Sequence, residues 1–211
     1  MRIYVTSPMI ADKFPGEDLG LMMNKSYLRC DRYPIALDNG AYGAWASGEP
    51  WDEIRWLKMV VRCEGRSEIE WVVVPDVVAD RDATLCSWSR WAWILKRAYG
   101  YNLAFVVQDG MTPADVPLGK AITKPTGGHD AVPVAADIVF VGGTTEWKWK
   151  TLRMWTAHFP RVHVGKVNSL RQLLAAHDAG AESVDGSGFA FESKRRALTH
   201  YLNRSKIPAF L

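Results

Sequence analysis

The chain has 211 residues, with 26 Lys and Arg against 23 Asp and Glu for a net charge of +3, and 48% hydrophobic against 23% charged residues. These values exclude a disordered tail and fit one globular domain over residues 1–211. No apolar run reaches the length of a membrane span, and Cys30, Cys63 and Cys86 are scattered without a CxxC or a nearby paired His, which argues for reduced, buried thiols rather than disulfides or a zinc clip.

Along the chain, short β-branched or apolar runs alternate with longer segments of helical period, the pattern of a parallel α/β architecture. Strands are predicted at 2–6, 34–37, 71–74, 103–107, 138–141, 162–164 and 183–184, with a weaker one at 121–123. Helices are predicted at 52–63, 83–98, 146–158, 170–179 and 194–203, where apolar residues recur at spacings of three and four. Asp82 is read as the cap of the second of these, and Ser169 and Gly180 as the start and stop of the fourth. The segment 111–133, with four Pro and three Gly, reads as an excursion above the sheet. The alternation, on a length near the lower bound of roughly 200 residues, predicts a (β/α)8 TIM-type barrel, compact or partly reduced.

The strand ends carry the chemistry. PIAL runs into Asp38-Asn39-Gly40, WVVVP into Asp76, LAFVV into Gln108-Asp109-Gly110, DIVFV into Gly142-Gly143, VHV into Gly165 and ESV into Asp185-Gly186. In a parallel barrel these C-terminal ends share one face, where active sites of the fold lie. Carboxylates gathered around one hollow repel one another, so at least one should have a raised pKa suited to proton transfer. Asp185, flanked by Gly186 and Gly188, is the candidate nucleophile; a turn-forming Asp is the alternative. Tyr42 can stack on a flat ring or simply pack, and Gln108 can read a base edge or satisfy loop backbone. Gly142 and Gly143 suit close approach of a ligand or a phosphate, or a tight bend.

Two basic features are candidates for phosphate contact: the run Trp147-Lys148-Trp149-Lys150, and the end containing Arg195 and Arg196. A helix with Trp inward and Lys outward is the plainer account of the first. Trp88, Trp91, Trp93 and Leu95 lie in one apolar helical stretch and read as packing.

The ordered set LDNGAYG, VVVPD, VVQDG, FVGGTTEWK, VGKVNSL and SVDGSG resembles the tRNA-guanine transglycosylases and their zinc-less relatives, phage and bacterial, that insert 7-deazaguanines into DNA. The resemblance spans about residues 35–190. It implies that Asp38 is the proton acceptor and donor, with Tyr42 stacked on the base. It implies that Asp76 and Gln108 read the base edge, that Gly142, Gly143 and Gly165 line the pocket, and that Asp185 attacks the ribose carbon. The family's Cys-x-Cys-x-x-Cys set and distant His are missing, and the first motif is DNGAYG in place of DSGGFQ. The expectation is therefore a barrel lacking the zinc subdomain, without metal or redox cofactor. It would exchange guanine for a free purine or 7-deazaguanine base in nucleic acid, in DNA rather than tRNA. Lys148, Lys150, Arg195 and Arg196 would hold the backbone. A cytoplasmic location, in the host if phage-encoded, no membrane contact and a possible homodimer complete the expectation. The rivals are a nucleoside or glycoside hydrolase using the same acids, and a barrel that only binds a base or nucleic acid.

Overall fold

A computed structural model describes residues 1–24, 30–119 and 134–204. Eight parallel strands close into a barrel in chain order: β1 (Arg2–Val5), β2 (Leu19–Met23), β3 (Ile35–Leu37), β4 (Ile69–Val73), β5 (Leu103–Val107), β6 (Ile138–Val141), β7 (Val162–Val164) and β8 (Ser183–Asp185). Closure comes from β1 pairing with β8, Tyr4 opposite Asp185. The barrel is thus complete rather than reduced. Its helices are α1 (Pro8–Ala11), α2 (Ala41–Ser47), α3 (Glu53–Arg62), α4 (Arg81–Tyr99), α5 (Thr145–His158), α6 (Leu170–Asp178) and α7 (Glu192–Arg204).

Strand side chains alternate between two faces, and here each face has its own core. Outward residues such as Ile3, Val5, Leu21, Phe105, Val139 and Val164 pack under the helices with Trp56, Trp88, Leu95 and Trp155. Inward residues Tyr4, Met22, Ala36, Trp71, Val73, Ala104, Val106 and Ile138 fill the barrel with Phe140. At its waist the rings of Tyr4, Trp71, Phe140 and His163 meet edge-on or tilted, with centroids 4.6–6.3 Å apart. Gly20 is required beside them, because a Cβ there would strike the Tyr4 ring at 2.6 Å.

Several expectations need correction. β2, α1 and α2 were not predicted from the sequence. The helix of residues 81–99 is capped by Asp80, whose side chain accepts from the Ala83 N–H, and not by Asp82. Ser169 does cap α6. Trp93 is 44% exposed, so only its neighbours Trp88, Trp91 and Leu95 belong to the core. Cys30 and Cys63 are buried, whereas Cys86 is exposed. The weaker strand at 121–123 lies outside the described residues, as does most of the segment 111–133. Among the described residues no helix is long and apolar enough to cross a membrane.

Candidate active site

Asp38 follows β3 directly, and Gly40 takes a left-handed φ of 75° to turn the chain into α2. The Asp38 carboxyl is pushed up to about 7, first by burial and then by the negative charges of Asp185 and Asp76; the backbone N–H groups of Gly40 and Asn39 pull the other way. Asp76, beyond the end of β4, is pushed up to about 6 by burial, against a hydrogen bond from Asn39 and the charge of Lys166. The strand-end carboxylates Asp38, Asp76 and Asp185 therefore do meet at the C-terminal mouth. Among the described residues neither Asp38 nor Asp76 has a Lys or Arg at ion-pair distance.

Asp76 is gripped from both sides. Asn39 Nδ2 donates to its Oδ1 at 2.8 Å and Gln108 Nε2 to its Oδ2 at 2.9 Å. Asn39 is itself fixed, donating to the Val74 carbonyl and accepting from the Ala41 N–H. Gln108 is buried and fully engaged: its Oε1 accepts from the Ala79 N–H, and its Nε2 also meets the Val77 carbonyl and Thr84 Oγ1. Of the two roles open to Gln108, loop and carboxylate support is the one its contacts fill.

Asp185, at the end of β8, is one-sixth exposed, with 17% of its side chain accessible. Its Oδ1 lies 3.2 Å from His163 Nε2 and accepts from the Lys166 N–H at 3.2 Å. His163 is wholly buried, and its other ring nitrogen lies 2.9 Å from Ser183 Oγ. Lys166 stands in the left-handed region at φ 60°, and its ammonium reaches over the Tyr42 ring. Burial, then the charge of Lys148, lower its pKa to about 8, against the pull of Asp185, Asp38 and Asp76. Tyr42 itself is 47% exposed, its ring 5.6 Å from Trp45 and covered on one face by the Lys166 ammonium.

The glycines have packing reasons. A Cβ on Gly142 would crowd Val106 and the Val107 carbonyl at 3.1 and 3.3 Å, one on Gly165 would strike Phe140 at 2.6 Å, and one on Gly143 would meet the Asp109 carboxylate. Asp109 accepts from Thr144 N and Oγ1, both at 2.6 Å.

The basic residues divide. Lys148 is buried, with its ammonium donating to the Gly165 carbonyl, so it is not a surface contact for a phosphate backbone. Arg195 is spent on the carbonyls of Phe189 and Ala190. Lys150 and Arg196 are exposed. His163, Lys166 and Asn39 were missed as site residues. Period-two alternation could have found His163, because residues 163 and 165 face the same way as 183 and 185 on the neighbouring strand.

No family model matches the chain, and no curated protein matches it. Among solved structures, a chain of the tryptophan synthase complex from Pyrococcus furiosus superposes with a TM-score of 0.51 at 12% identity, over 96% of each chain. At that identity the likeness bears on the barrel fold alone.

Proposed function

We propose that the protein is a base-exchange transglycosylase that replaces guanine by a 7-deazaguanine in nucleic acid, with DNA preferred to tRNA as substrate. The observation that carries this reading is the pairing of Asp38, a carboxyl poised near neutrality, with Asp185, whose Oδ1 accepts from the Lys166 N–H and lies 3.2 Å from His163 Nε2. Carboxyls with environments this different suit an acid–base role and a nucleophilic role respectively.

In the first step Asp185 attacks C1′ and the bond from C1′ to the base nitrogen breaks, while protonated Asp38 gives its proton to that nitrogen. The sugar is then held as an ester of Asp185, and Asp38 is a carboxylate. In the second step the incoming base gives its ring-nitrogen proton to Asp38 and attacks C1′, and Asp185 leaves as carboxylate. Atoms and charge balance, and no redox partner enters. Asp76, held by Asn39 and Gln108, accepts from the donor edge of the guanine. The target nucleotide leaves its stack to reach the mouth, with Lys150 and Arg196 available to phosphates.

The test is incubation with duplex DNA and with tRNA in the presence of radiolabelled guanine or a 7-deazaguanine, followed by nucleoside analysis. Label in the polymer supports exchange. Abasic sugar without incorporation moves the assignment to a hydrolase, and binding without either product to a binding barrel.

A further inference from the structure

The buried pair His163 and Ser183 lies beneath Asp185 and takes no part in the two steps above. We infer that His163 is the positioning residue of Asp185: it holds Oδ1 from inside the barrel, so that Oδ2 is the oxygen that bonds to carbon. The inference rests on the base-exchange reading and adds to it which atom reacts and what stabilises that carboxylate when it leaves.

Two arms converge on Oδ1. From below comes His163 Nε2 at 3.2 Å, with Nδ1 held by Ser183 Oγ at 2.9 Å. Rings of Tyr4, Trp71 and Phe140 pack around the imidazole with centroids 4.6–5.7 Å away, so it has no room to turn. From the side comes the Lys166 N–H at 3.2 Å. That N–H belongs to the same peptide unit as the Gly165 carbonyl, which accepts from the buried Lys148 ammonium. A cation on the carbonyl polarises the peptide and strengthens its N–H as a donor. Lys148 thus acts on Asp185 through one peptide group. Gly165 leaves the space for this, since a side chain there would press on Phe140 and stand 3.4 Å from Oδ1. Oδ2 receives no hydrogen bond from a described residue.

A donor to Oδ1 favours the ionised carboxylate over the ester, whose carbonyl is a weaker acceptor. The hydrogen bond therefore counts most when the ester is discharged and charge returns to Asp185. For His163 to play this part, Nε2 must carry a proton. With Nε2 protonated in the neutral ring, Nδ1 accepts from the Ser183 hydroxyl.

Two measurements test this. The first needs no activity: long-range nitrogen–proton NMR of the histidine-labelled wild type and Asp185→Asn. A proton on Nε2 of His163, with a resonance that moves in Asp185→Asn, is the expected result. A bare Nε2 overturns the inference. The second follows the protein–nucleic acid adduct. His163→Leu should slow discharge by the incoming base ~10- to 100-fold, the loss of one hydrogen bond to a charged group, while formation changes less. His163→Gln, which keeps a donor near that position, should restore discharge. Discharge at the wild-type rate in a folded His163→Leu overturns the inference, and if that variant does not fold the NMR result decides. An adduct absent from wild type defeats the base-exchange reading alone, and the nitrogen tautomer still judges this one.

Discussion

At the N-terminal end of the barrel, Glu70 accepts from Arg2 and the Tyr4 hydroxyl, Asp18 pairs with Arg2 at 2.6 Å, and Arg161 pairs with Glu182 at 2.9 Å. At the C-terminal end the charges of Asp76 and Asp185 act on Asp38, and among the described residues neither Asp38 nor Asp76 has a Lys or Arg at ion-pair distance. A shift of register between Ile35 and Ala36 lets β4 turn Glu70 toward its partners. The first end neutralises its charges. The second keeps like charges together at a cost in stability, which a sequence retains only where the arrangement serves something else.

Four variants, the last of them double, break or sharpen that contrast, in decreasing order of effect. Asp185→Asn should lower base exchange at least ~1000-fold, since the amide cannot attack carbon. Nucleoside analysis checks this, and the melting temperature should stay within about 2 °C. Asp38→Asn should stabilise the fold, by on the order of 2–4 kcal/mol at pH 8 and hardly at all at pH 4. The sign follows from a folded-state pKa of about 7 against 3.8 for a solvated aspartate: the folded state binds the extra proton between those pH values, so stability is lost as pH rises through them. Thermal melts at the two pH values read it directly. Glu70→Ala at the opposite end should destabilise by about 2 kcal/mol, because the Tyr4 hydroxyl loses its acceptor and Arg2 one of its two. The denaturant midpoint measures that loss, and base exchange per folded molecule should not change. Charge reversal at Lys150 and Arg196 should have the smallest effect, reducing the salt-dependence slope of nucleic-acid binding by about 1 per lost phosphate contact. An unchanged slope would place both residues on a merely solvated face.

The barrel was legible from its strands because most are short, β-branched and flanked by turn residues. β2 was not, since LGLMM carries no β-branched residue and its Gly20 is there to admit the Tyr4 ring, a partner sixteen positions away. α2 was hidden by Gly43 inside DNGAYGAWASG, where the helix is set by the Gly40 turn rather than by periodicity. The carboxylates of the site could be picked out because strand ends converge by topology. Their supports could not: Gln108 reads equally as ligand contact or brace until its partners are known, and Lys148 sits in a run whose helical phase alone suggested solvent. A basic residue in such a run does not declare that a backbone carbonyl at the end of the next strand will take its charge.

The four rings at the waist have a consequence for traffic. With Tyr4, Trp71 and His163 at 0–1% exposure and Phe140 against them, nothing passes from one end of the barrel to the other. Among the described residues, Asp38, Asp76 and Asp185 are then approached from the C-terminal ends of the strands. In a reaction where one base leaves and another enters, departure and arrival share that approach, so the first base must be gone before the second is admitted. Double-reciprocal plots for polymer and incoming base should then be parallel, and free guanine should compete with the incoming base for the sugar held on Asp185.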